Sequence, residues 1–173
     1  MANIEQIQIK FVAVEDRLLL RVSSSDALEF RFWMTRRFVN LMWPALHKAL
    51  AETPRIKAQT SLEAKKELLL FEHNKAVSDS DFKTPFKETP KTMPLGDQPI
   101  LLAKMHLRRN DAGATVMALG PEHGAGIDLA LTPGLLHSLI ELIGNAARIA
   151  EWNLLSPTHD SALTAAPDNV TLN

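Results

Sequence analysis

The side chains best placed to do chemistry in this sequence are five cations and one indole. Lys10, Arg21, Arg31 and Trp33 alternate with apolar residues in three short segments, so all four are expected on one face of a sheet. Such a face offers charge for a phosphate or carboxylate and a ring for stacking. Arg36 and Arg37 follow in what should be the first turn of a helix, where the helix dipole disfavours cations. They are read as an exposed solubilising pair, with the gripping of a phosphate or carboxylate as the functional alternative. Lys10, Arg21, Arg31, Trp33, Arg36 and Arg37 are therefore the candidate binding residues.

Catalytic chemistry finds no comparable set. The sequence has no Gly-x-Ser-x-Gly and no glycine-rich loop ending in Gly-Lys-Ser/Thr. Gly120, Gly124 and Gly126 lie in a loop between two expected strands, so that loop is a turn and not a phosphate cradle. His137 and Glu141 stand one helical turn apart and could chelate together, but no His-Glu-x-x-His pattern supplies a third ligand. His106, His123 and His137 form a weaker alternative, a small-molecule or metal site. We assign no catalytic residue, no metal ligand and no cofactor, and we do not expect an enzyme.

The elements that must position these residues form a pattern that occurs twice. Phe30, Phe32, Met34, Thr35, Phe38, Met42, Leu46 and Ala49 recur as Ile127, Leu129, Leu131, Thr132, Leu135, Leu139, Ile143 and Ala146, at a constant offset of 97 residues. The spacing from Val22 to Phe30 equals that from Leu119 to Ile127, so the preceding loop is also kept in length. Upstream, Ile7, Ile9 and Phe11 alternate with Gln6, Gln8 and Lys10, and residues 18–22 return as a second strand. Thr35 and Thr132 sit where the apolar period changes from two to about 3.6, the place of a helix N-cap.

We read an α+β fold: two tandem βββα units, each an antiparallel meander and a helix, related by pseudo-two-fold symmetry. The first unit spans residues 1–54 and the second 100–155. Residues 55–99 hold a connector helix and a proline-rich linker, with Phe86 and Leu95 docked on the body, and residues 156–173 are expected to be a disordered tail. Pro44 should kink the first helix. Residues 100–109 should form one strand. Asn40 and His137 occupy equivalent positions and could meet near the pseudo-axis. A single unit buries too little apolar surface to stand alone, so each half should complete the other.

Composition narrows the function classes. The formal net charge is −1, which gives no global attraction to nucleic acid or an anionic membrane. The absence of cysteine removes disulfides and thiolate sites and suits a reducing cytoplasm. Residues 1–6 carry no basic run followed by an apolar core, and a cytoplasmic protein without membrane association is expected.

These features favour a non-catalytic interaction or scaffold protein that self-associates, with a protein partner or a second copy of the chain. A repeated meander-plus-helix unit is also similar in outline to the Whirly, PUR-alpha and PC4-like group, over residues 4–152 without the connector. That resemblance implies single-stranded nucleic acid bound on a curved sheet, here by Lys10, Arg21, Arg31 and Trp33.

Overall fold

The computed structural model describes residues 4–89, 92–110, 113–154 and 171–172. It is an α+β structure with two four-stranded sheets. In the first sheet, β1 (Ile4–Val12), β2 (Arg17–Ser24) and β3 (Glu29–Met34) form an antiparallel meander. The alternation in sequence becomes rows across the strands. Ile7–Val22–Phe30, Ile9–Leu20–Phe32 and Phe11–Leu18–Met34 lie in register and turn one face to the core. A short strand, β4 (Ile100–Leu101), runs parallel to β3 at its open edge.

Helix α1 (Arg36–Ala51) begins where the strand period ends. The Thr35 hydroxyl accepts the Phe38 N–H at 3.2 Å and so satisfies one of the donors left open at a helix start. Phe38, Met42, Leu46 and Leu50 are buried along one stripe, and α1 runs unbroken through Pro44. After the short α2 (Pro54–Lys57), α3 (Leu62–Asp79) is capped by Ser61 and buries only Leu69 and Ala76 fully. Leu68 packs beside them, whereas Leu70 and Phe71 face outward.

The second sheet contains β5 (Lys104–Arg109), β6 (Thr115–Gly120) and β7 (Ile127–Leu131), again antiparallel neighbours. Residues β8 (Thr171–Leu172) pair with β5; the rest of the expected tail, apart from this pair, lies outside the described residues. Helix α4 (Pro133–Ile149) starts at Thr132, whose hydroxyl accepts the Leu135 N–H at 3.2 Å.

Residues 100–109 differ from the single strand expected. The Leu102 N–H donates to the Trp33 carbonyl at 2.9 Å, and the Ala103 N–H to the Gly120 carbonyl at 3.0 Å. The chain thus leaves one sheet and enters the other between adjacent residues. Ile100-Leu101-Leu102 is a continuous apolar run, so no alternation pins it to one sheet, and burial of Leu102 decides the crossover.

One apolar core joins both halves. Helix α4 packs on β1, and α1 packs on α4 and β5, so each long helix reaches the sheet of the other half. Where the two helices meet, the Trp43 ring lies against Gly144.

Gly126 brings the start of β7 so close to β6 that a Cβ there would stand 2.1 Å from the Leu119 carbonyl oxygen. Gly126→Ala must therefore displace backbone. We expect a loss of about 1–3 kcal/mol in urea denaturation, whereas Gly134→Ala, at an open helical position, should change stability little.

Candidate functional site on the outer face of the first sheet

Residues of opposite parity to the core rows make the outer face of this sheet. Gln6–Ser23–Glu29, Gln8–Arg21–Arg31 and Lys10–Leu19–Trp33–Leu101 run across it in register. Lys10, Arg21, Arg31 and Trp33 therefore share one face, as their spacing requires. Arg36 and Arg37 are exposed on the first turn of α1, just past the end of β3.

Part of this face is covered by the chain itself. Beyond α3, Ser80 shares a hydroxyl–hydroxyl hydrogen bond of 2.7 Å with Ser138, and the Asp81 carboxylate accepts the N–H groups of Lys83 and Thr84. The Thr84 hydroxyl also donates to it, and these bonds hold Asp81 below the usual carboxylate range. The chain then crosses the sheet as a strap. Gln6 clamps its backbone: the side-chain amide donates to the Pro85 carbonyl at 3.4 Å and accepts the Lys87 N–H at 2.9 Å. The Lys87 ammonium pairs with Glu5. At the far edge, Thr92 accepts the Glu29 N–H and donates to the Ala27 carbonyl, both at 2.9 Å. Residues 81–89 form no strand, and Pro85 within them lacks the N–H that a sheet ladder needs.

Arg21 is the centre of the contact. Its guanidinium lies 4.1 Å from the centroid of the buried Phe86 ring, a cation–π geometry. Both terminal nitrogens donate to Glu88, Nη1 to Oε1 at 2.6 Å and Nη2 to Oε2 at 2.8 Å. This fork-to-fork pairing is the strong form of an arginine–carboxylate bond. The remaining Nε donates to Glu29 at 2.8 Å, and Arg31 Nε donates to the same Glu29 oxygen at 2.7 Å. The Glu29 side chain is only 3% exposed, whereas that of Glu88 is 70% exposed. Burial alone would raise the Glu29 pKa, but hydrogen bonds from Arg21 and Arg31 outweigh it and hold the carboxyl below its usual value. Arg21 is in turn held charged, first by Glu88 and then by Glu29, against the cost of burial.

The rest of the face stays open. Trp33 is half-buried between Leu19 and Leu101, and Leu101 is 45% exposed. Beside β1, residues 79–87 and α4 enclose a groove of about 860 Å³.

The sequence did not point to Phe86, Glu88 or Gln6 as partners of Arg21. One signal was available: Phe86 is the lone large apolar side chain in the polar stretch 83–91. The partnership of Glu88 with Arg21 spans 67 residues and leaves no local trace.

The histidines do not gather as expected. His106 is exposed on β5 and His123 sits in an exposed loop, away from the buried His137 on α4. Asn40 is exposed, so it does not meet His137. Glu141 pairs with His73 at 3.3 Å and not with His137. The His73 and His137 rings meet edge to face at 5.5 Å, and His47 lies against Trp43 at 4.7 Å. Among the described residues, no three His, Asp or Glu side chains could hold a metal ion.

Among known protein families, curated proteins and solved structures, none matches this chain.

His137 gives this core a pH dependence. It is 2% exposed, and neither ring nitrogen has a hydrogen-bond partner among the described residues. Burial first, then the neighbouring His73 and His47, lower its pKa from 6.5 to about 4. The unfolded chain therefore takes up a proton below pH 6.5 that the folded chain refuses until about pH 4, so stability falls with acid across that window. We expect this group to cost on the order of 2 kcal/mol between pH 7 and pH 5. Urea melts of His137→Phe at the two pH values should lose that difference relative to the unaltered chain.

Proposed function

We propose that this is a non-catalytic interaction protein that works by the outer face of its first sheet and associates with a second copy of itself. The observation that carries this is the row Lys10–Leu19–Trp33–Leu101, an apolar strip with an indole and a cationic end, left open beside a charged, chain-covered region. A partly buried indole flanked by leucines, one of them exposed, is the kind of anchor that protein interfaces use.

The body is read as two tandem βββα units, residues 1–54 and 100–155, joined by the connector of 55–99 and related by a pseudo-two-fold axis. Support comes from the matching Thr35 and Thr132 caps and the matching order of three antiparallel strands and a helix. A cytoplasmic setting fits the cysteine-free sequence, and among the described residues no helix is long and apolar enough to cross a membrane.

Single-stranded nucleic acid is less well supported on this face. Arg21 is buried under Phe86 and committed to two carboxylates, and Arg31 is committed to Glu29. Four charges there sum to zero before a phosphate arrives.

Size-exclusion chromatography with light scattering should give a dimer at micromolar concentration, and Trp33→Ser with Leu101→Ser should convert it to a monomer. An unaltered chain that stays monomeric across the concentration range would contradict self-association.

A further inference from the structure

The strap over Arg21 has the form of a bound ligand, and it specifies what else could bind there. We propose that the Arg21 region is a recognition site for an extended peptide carrying an aromatic residue and, two positions later, a carboxylate, and that residues 85–88 occupy it as an internal pseudo-ligand. This deepens the reading of the protein as an interaction protein and rests on it.

Three features define the ligand. Gln6 holds the carbonyl of residue 85 and the N–H of residue 87, alternate groups of one extended backbone. A nucleic-acid backbone has no such N–H, so this clamp selects a peptide. The Arg21 guanidinium takes an aromatic ring on its face and a carboxylate on its edge at once, which sets the aromatic-x-acid spacing of Phe86 and Glu88. Charge then requires the acid. With the strap removed, Glu29 would be the one carboxylate paired with Arg21 and Arg31 among the described residues, leaving two guanidinium groups against one acid.

The strap is also built to be exchanged. Residues 85–88 form no strand with the sheet, so their release breaks side-chain clamps and can leave the backbone bonds of Thr92 in place. The Glu88 side chain, at 70% exposure, is the open end of the contact.

An internal ligand competes at an effective concentration on the order of millimolar. The unaltered chain should therefore bind a free peptide weakly. The test uses a fluorescent peptide of residues 83–89, Lys-Thr-Pro-Phe-Lys-Glu-Thr, titrated with the full chain and with a full-length Phe86→Ala/Glu88→Ala variant, its fold checked by circular dichroism. We expect the variant to bind at least about tenfold tighter than the unaltered chain. Adding Gln6→Ala, or changing the peptide glutamate to glutamine, should abolish the gain. Should the double variant not fold, Glu88→Gln alone opens the guanidinium edge and should show the same direction of change. No peptide binding by a folded, opened chain would overturn the proposal, as would capture of single-stranded oligothymidine in place of the peptide. Loss of peptide binding with the Trp33-dependent dimer intact would remove this site and leave the interaction reading standing.

Discussion

The buried carboxylate of Glu29 is the group on which the outer architecture depends. Leaving such a charge uncompensated in a low-dielectric position costs several kcal/mol, and two guanidinium groups converge on one of its oxygens to prevent this. One of them, Arg21, then lies too deep to be satisfied by water. Its outer edge takes Glu88 and its face takes Phe86, both from a segment far away in sequence. The Glu29 N–H meanwhile holds Thr92, the strap's other end. One residue at the start of β3 thus ties the linker to the sheet at two points. Removing one partner from the buried Arg21–Glu29 pair costs about 3–5 kcal/mol, whereas the Glu88 carboxylate, 70% exposed, can leave Arg21 without stranding a buried charge of its own.

The core follows a second constraint. A three-stranded meander with one helix is too small to bury enough apolar surface. Here the two meanders share one core because α4 lies on β1 and α1 reaches β5. The crossover at Leu102–Ala103 strengthens the joint, since consecutive backbone groups bond to different sheets. The linker covers a face of the first sheet, and the residues that follow it, Ile100–Ala103, add a strand to that sheet before entering the other.

What was legible in the sequence was periodic. Ile7, Ile9 and Phe11, the return through Leu18, Leu20 and Val22, and the Thr35 and Thr132 caps all encode local geometry, and each occurs where its period places it. The sharing of one face by Lys10, Arg21, Arg31 and Trp33 follows from the same alternation. What was not legible was long-range. Nothing local to Arg21 announces Glu88, and nothing in α3 announces that His73 will meet His137 from α4. Leu101 and Leu102 look alike in sequence, yet one is exposed at a sheet edge and the other is buried between sheets. Around Arg21 and Arg31 the face read as basic is neutralised as folded, by Glu29 on that same face and by Glu88 from a segment without periodicity.

The most direct measurement is on the Arg21 side chain itself. In nitrogen-edited NMR at neutral pH, its Nε–H should appear as a slowly exchanging signal, shifted upfield by the ring above it, and Phe86→Ala should remove that shift. An Arg21 Nε–H that exchanges as fast as those of the exposed Arg36 and Arg37, and does not respond to Phe86→Ala, would contradict the account.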